Sequence, residues 1–117
     1  MSRLDLIMHE LSITRNIVAT VVDHARGRRV DEVTLKIGTL AGIELQALRF
    51  CFDVCTEGTC IEGAKLRIEE IPGRGRCVDC DETVSLGQPI AVCPCDKRAR
   101  LIIEAGEELL IHSMEVH

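Results

Sequence analysis

Leu11, Ile17, Val18, Val21, Val22 and Ala25 recur at helical spacing, with the methyl group of Thr14 filling the same stripe. One apolar stripe at a 3.6-residue period predicts an amphipathic helix over residues 11–25. His24 and Arg26 bring positive charge to its end, where it suits the helix dipole, and Gly27 fits the left-handed position beyond it. Many of these residues are β-branched, so packing rather than propensity must hold the helix. Val33, Leu35 and Ile37 then alternate with Thr34 and Lys36, a half-buried strand closed by Gly38. Residues 38–44 read as a loop containing Gly42. Leu45, Leu48, Phe52 and Cys55 return to helical spacing and stop at Gly58. Ala64, Leu66 and Ile68 alternate with Lys65, Arg67 and Glu69, a second strand broken by Pro72-Gly73. After Gly106 a last strand runs through Leu109, Ile111 and Ser113 to Val116.

Residues 74–100 break the pattern, with four cysteines, a turn signal at Gly87-Gln88-Pro89 and little core-forming periodicity. Cys77-Val78-Asp79-Cys80 lets two thiolates turn toward one ion, and Cys93-Pro94-Cys95 supplies a second pair. Tetrahedral zinc wants four soft ligands, and two such turns on facing hairpins provide them. The second pair is C-x-C where a zinc ribbon normally has C-x-x-C. An all-thiolate set favours Cys95 as the fourth ligand, and the ungapped register offers Asp96 as the alternative. Disulfide-paired or free thiols are the plainer reading, which the pairing pattern disfavours. Cys51, Cys55 and Cys60 read as small buried hydrophobes rather than a second thiolate site.

The element order predicts an α+β fold: two helices on a three-stranded mixed sheet, with an inserted zinc-ribbon module. The expected division is residues 8–72 with 105–117 for the α+β domain and 73–104 for the zinc ribbon. The chain has 117 residues with no internal repeat, and small modules of this kind need a staple.

Composition narrows the function classes. Two Phe, no Trp and no Tyr leave the core aliphatic and remove the platforms used for stacking bases. A net charge of -5 gives no general attraction to phosphate backbones, so no nucleic-acid partner is expected. Seven cysteines is an odd count for a secreted disulfide scaffold. Residues 1–7 include Arg3 and Asp5 and lack the apolar core of a signal peptide. No apolar run approaches membrane-spanning length. A cytoplasmic protein with its thiols on metal is the expectation.

Met8-His9-Glu10-Leu11-Ser12 opens the first helix. By themselves a His and a Glu at a helix start are solvated polar residues. A histidine second from a free amine, however, can chelate through that amine, its own amide and its imidazole, a nitrogen set suited to Ni(II) or Cu(II). Taken with Ile37-Gly38-Thr39-Leu40-Ala41-Gly42, Phe50-Cys51-Phe52, Glu57-Gly58-Thr59, Glu62-Gly63-Ala64-Lys65-Leu66, the cysteine pairs and Met114-Glu115-Val116, this start resembles the HypA/HybF family. The resemblance runs from Met8 to nearly the end of the chain.

It implies a nickel metallochaperone and not an enzyme. Such a protein works with a HypB-type GTPase to load Ni(II) into the large-subunit precursor of nickel–iron hydrogenase, and in some organisms with a urease accessory protein. It also leaves room for a homodimer. The resemblance assigns nickel to His9 and Glu10, with Met8 as amine donor where it is the first residue and Glu44 as an extra carboxylate. The zinc is structural and bears on the nickel site through domain orientation. The chain departs from the family pattern at the C-x-C knuckle, at residues 1–7, which turn the Met8 amine into an amide, and at Thr39, where the family often has an acidic residue.

Two other classes compete. Arg74, Arg76, Lys97, Arg98 and Arg100 gather around the ribbon, which a zinc-ribbon interaction or nucleic-acid module would use. Cys77 and Cys80 would suit a redox protein if a helix began at the motif, but the motif lies in a turn-rich segment. No nucleophile sits in a motif with a base. His112 and His117 read as surface residues.

Overall fold

The computed structural model describes residues 3–87, 93, 95 and 100–117, with side chains from His9 onward. The elements are α1 (Arg3–Ala25), β1 (Val30–Gly38), α2 (Leu45–Thr56), β2 (Lys65–Ile71), β3 (Gly73–Cys77), β4 (Thr83–Leu86), β5 (Leu101–Ala105) and β6 (Leu109–Val116). They form two compact units, one of Met1–Leu35, Ile43–Ile68 and Ile111–His117, the other of Lys36–Gly42 and Glu69–Leu110.

The two helices and the three-stranded mixed sheet expected from the periodicity are present, in strand order β2-β1-β6. Val30 N–H bonds to Cys60 O and Thr39 N–H to Ile71 O, so partners ascend together and β1 runs parallel to β2. Gly38 N–H bonds to Glu108 O and His117 N–H to Arg29 O, so β1 runs antiparallel to β6. As the central strand β1 departs from strict alternation: Val33, Thr34 and Leu35 are all buried. α2 buries Leu48, Cys51, Phe52 and Thr56. With Ile17, Val18, Val21 and Ala25 of α1 and Ile61 of the α2–β2 connection, these make the aliphatic core of the first unit. Each Val, Leu, Ile or Phe among them taken from water contributes about 1.5–3 kcal/mol.

The first helix begins earlier than the pattern indicates. α1 starts at Arg3, not at the Met8-His9-Glu10 motif. Residues 3–7 contain no Gly or Pro to stop it, and two leucines and an acidic residue in the first turn favour it. Its buried stripe also includes Glu10 and Thr14, with the Thr14 hydroxyl donating to Glu10 O at 2.6 Å.

The second unit holds a sheet that the pattern does not indicate. β3 begins at Gly73, inside the Pro72-Gly73 break, and pairs antiparallel with β4 and β5 in the order β4-β3-β5. Gly75 faces Val84 and Cys77 faces Leu101, with an irregularity between Arg74 and Gly75. β3 is glycine- and arginine-rich, and β4 and β5 have only four and five residues, so no apolar face is long enough to register as alternation. Leu40, Leu86 and Leu101 pack with Cys77 and Cys93 as a small core of their own. Gly106 has φ +111°, and a Cβ there would sit 2.6 Å from the Cα of Gly73 and 3.0 Å from Leu40. Only glycine allows these backbones to pass so closely.

Candidate metal centres

β3 delivers Cys77 at its end, and the turn toward β4 carries Cys80. Cys77 N–H donates to Glu82 O and Asp81 N–H to Cys77 O, and Asp81 takes φ +62° to close the turn. The N–H groups of Asp79 and Cys80 both point at the Cys77 sulfur, each at 3.4 Å. Arg76 braces the turn from outside, bonding Asp81 at 2.8 Å and Glu104 of β5 at 3.4 Å. Of the five basic residues around the ribbon this one is committed to local carboxylates, Arg74 and Arg100 are exposed, and Lys97 and Arg98 lie outside the described residues.

Cys93 and Cys95 approach from the segment before β5. The sulfurs of Cys77, Cys80, Cys93 and Cys95 all lie within 4.8 Å of one another. Cys77 and Cys95 are 3.9 Å apart, Cys80 and Cys93 3.7 Å. A tetrahedral ion with bonds of about 2.3 Å requires sulfur–sulfur edges of about 3.8 Å. Disulfide bonding needs contact near 2.05 Å, so the spacing fits ligands around one cation rather than cross-links. Three of the thiols are buried or half-buried and Cys80 is exposed. The Cys80 N–H, seconded by that of Asp79, holds the Cys77 thiol down at about 7 against the effect of burial. Cys93 moves the other way: the Cys95 N–H favours its thiolate, but burial and the neighbouring thiols outweigh it and push it up to about 12. Four thiolates this close require a cation. The cluster is compatible with metal binding, and among the described residues it is the one such group of three or more His, Cys, Asp and Glu. Asp96 lies outside the described residues. The chain leads from Cys80 into β4 and not a helix, which leaves the thioredoxin-like reading without its context.

The second candidate lies on α1. His9 is half exposed, whereas Glu10 is fully buried, contrary to the solvated reading of an isolated His-Glu pair. Glu10 Oε2 accepts the Glu44 N–H at 2.7 Å. Among the described residues Glu10 Oε1 has no hydrogen-bond partner, and it lies 3.6 Å from His9 Nδ1. A buried carboxylate oxygen without a partner is costly and marks a place where a cation or proton is wanted. Glu44 is exposed and caps α2, its Oε2 accepting the Ala47 N–H at 2.5 Å. The structure thus joins Glu44 to Glu10 through its backbone, while its carboxylate is engaged with the helix end. The side chain of Met8 lies outside the described residues, and its backbone is within α1.

The other flagged residues are less active. Cys51 is buried, and burial first, then Cys55 and Glu10, push its thiol up. Cys55 and Cys60 are half-buried. The Thr39 hydroxyl accepts the Gly73 N–H at 3.0 Å, a structural task in place of the acidic residue expected there. His112 is exposed, and His117 is exposed and paired with Asp31 at 3.1 Å. Sequence reasoning missed the burial of Glu10. The signal was available: Glu10 falls one turn before Thr14 and two before Ile17, on the apolar stripe of the helix.

A two-unit α+β chain with a four-thiol cluster in one unit and an unsatisfied buried carboxylate beside an imidazole in the other is a metal-handling protein. Comparison with known proteins narrows the class. The chain belongs to the HypA family, whose description as "Hydrogenase/urease nickel incorporation, metallochaperone, hypA" matches residues 8–116. It is 50% identical over 109 residues to the hydrogenase maturation factor HypA of Nostoc punctiforme, covering 93% of this chain and 96% of that one. The HypA maturation factor of Geobacter sulfurreducens is 42% identical over 109 residues, covering 93% and 99%. The fold is shared with the solution structure of the Ni metallochaperone HypA from Helicobacter pylori, at 20% identity and a TM-score of 0.64 over 92% and 96% of the two chains. A second HypA solution structure matches at 24% identity and a TM-score of 0.67, over 94% and 97%. The family is one of metallochaperones and maturation factors, not enzymes. Among the described residues no helix is long and apolar enough to cross a membrane.

Proposed function

We propose that this chain carries Ni(II) for the maturation of nickel–iron hydrogenase, taking the metal at His9 and Glu10. The observation that carries the reading is the fully buried Glu10 carboxylate, whose Oε1 lacks a partner 3.6 Å from the His9 imidazole. Nickel is cargo here, so the ligand set must release it as well as bind it, and few donors with one exposed imidazole suit that task. With residues 1–7 present the Met8 nitrogen is a helical amide, so His9 and Glu10 carry the binding. Glu44 supports Glu10 through its N–H and is a further carboxylate in reach of the same end of α2.

Cys77, Cys80, Cys93 and Cys95 hold a resident Zn(II) that shapes the protein, with Asp96 the alternative to Cys95. The donor set and the 3.7 and 3.9 Å edges support this assignment. The functional division we favour is residues 8–72 with 105–117 for nickel and 73–104 for zinc. The partners are a HypB-type GTPase, the hydrogenase large-subunit precursor, in a urease-bearing cell a urease accessory protein, and a second copy of this chain, all in the cytoplasm. Nickel titration of the zinc-loaded chain tests the reading. His9→Ala should remove nickel binding and leave the zinc content unchanged. Undiminished nickel affinity in that variant would overturn it.

A further inference from the structure

The first unit contains a cavity of about 260 Å³ between the end of α1 and β6, and the functional reading above makes no use of it. Val21, buried on α1, and Ile111 give it apolar walls. Its chemistry comes from three other residues, His24 of α1 and His112 and Met114 of β6. Strand alternation puts His112 and Met114 on the same face of β6. Met114 is half-buried and both histidines are exposed, so the cavity is open to an ion from solvent. His24 is already oriented. Its Nδ1 lies 2.8 Å from the Thr20 carbonyl oxygen, one turn back on the helix. A carbonyl only accepts, so Nδ1 carries the proton of the neutral ring and Nε2 keeps its lone pair. An imidazole pinned through one nitrogen in this way is set up to ligate a metal through the other.

We infer that His24, His112 and Met114 form a second, weaker Ni(II) site, separate from His9 and Glu10. Two imidazole nitrogens and a thioether sulfur are borderline to soft donors, which suit late transition metals and not Mg(II), Ca(II) or Mn(II). Cu(I), the softer candidate, would go first to the four clustered thiols. The choice of Ni(II) rests on the functional reading above; the donor set does not. Among the described lining residues there is no Asp, Glu or Cys. A divalent ion here meets no ligand charge and completes its shell with water, so it binds more weakly than beside the Glu10 carboxylate. It therefore fills after the His9 site, and the nickel that His9→Ala should remove is the tightly held ion. His9 and His24 lie on one helix, about 22 Å apart by the rise of an α-helix, so the two sites cannot share an ion. The cavity gives the chain a second place to hold cargo when nickel is plentiful.

The test reads each site by its own signal. Nickel titration of the zinc-loaded full chain should show a second, weaker step after the first. Ni(II) with a water-completed shell is paramagnetic and broadens only nearby nuclei. The NMR signal of the Met114 methyl should therefore broaden with the second step and not with the first. His24→Gln and His112→Gln should each weaken the second step by at least about tenfold and leave the first as it is. His9→Ala should remove the first step and keep the second. His117→Gln alters an exposed histidine that is paired with Asp31 and does not line the cavity, and it should change neither step. Far-UV circular dichroism and zinc content confirm that each variant is folded. A Met114 methyl that nickel leaves sharp overturns the inference. So does a second step that survives both cavity variants, or one that His117→Gln removes equally. A missing first step with the Met114 methyl still broadened supports this site and counts against the His9 reading alone.

Discussion

Replacing Glu10 by Gln should move stability and nickel binding in opposite directions. The carboxylate is fully buried, Oε2 accepts the Glu44 N–H at 2.7 Å, and Oε1 has no partner. An unsatisfied buried polar atom costs about 1–3 kcal/mol. Glutamine keeps the shape and an oxygen to accept the Glu44 N–H, and removes the charge that burial disfavours. Its amide nitrogen takes the place of Oε1, facing the His9 imidazole. The nickel-free variant should therefore be more stable by about 1–2 kcal/mol, a rise in melting temperature of about 4–8 °C for a chain of this size. Nickel reverses the order. At free nickel a hundredfold above its dissociation constant, the wild type gains about 2.7 kcal/mol by mass action and a variant that cannot bind gains nothing. Calorimetric melts of both zinc-loaded chains, with and without nickel, should cross. A nickel-free variant that melts below the wild type would mean that Glu10 is a satisfied structural carboxylate. An undiminished nickel-induced rise in the variant would remove Glu10 from the site.

Cys93→Ser should abolish stoichiometric zinc by elemental analysis, whereas Cys60→Ser, outside the cluster, should keep it; retained zinc in the first variant would break the four-thiolate assignment. Gly42→Ala, at φ +72° with no neighbour, should cost about 1–2 kcal/mol for the left-handed backbone alone. Gly106→Ala adds the clash with Gly73 and should lower the urea midpoint further; equal midpoints would refute the close passage. Phe52→Ala removes one of the largest buried side chains and should cost about 3–5 kcal/mol in urea unfolding, and a loss under 1 kcal/mol would contradict its burial.

Periodicity alone is sufficient to locate α1, α2, β1, β2 and β6: α1, α2 and β1 each bury an apolar stripe or face, and β2 and β6, half-buried to exposed at the sheet edges, still carry apolar runs bounded by turn residues. Spacing alone is sufficient to nominate Cys77, Cys80, Cys93 and Cys95, because two thiolates a few residues apart in a turn can reach one ion only locally. The small sheet of β3, β4 and β5 is not legible in that way. Gly73-Arg74-Gly75-Arg76-Cys77 has no alternation, and its core of Leu40, Leu86 and Leu101 is drawn from segments far apart in the chain.

Tertiary structure decided three matters that no local pattern holds. It brought the sulfurs of Cys77 and Cys95 to 3.9 Å and those of Cys80 and Cys93 to 3.7 Å, distances that neither motif sets by itself. It buried Glu10 under the start of α2, where a residue that looks solvated in sequence becomes an unsatisfied carboxylate. It left β6 at an edge and β1 at the centre, although both read as similar apolar strands. Sequence determines which residues want burial, ligands or turns. Which of those wants is met depends on what the folded chain sets beside each one.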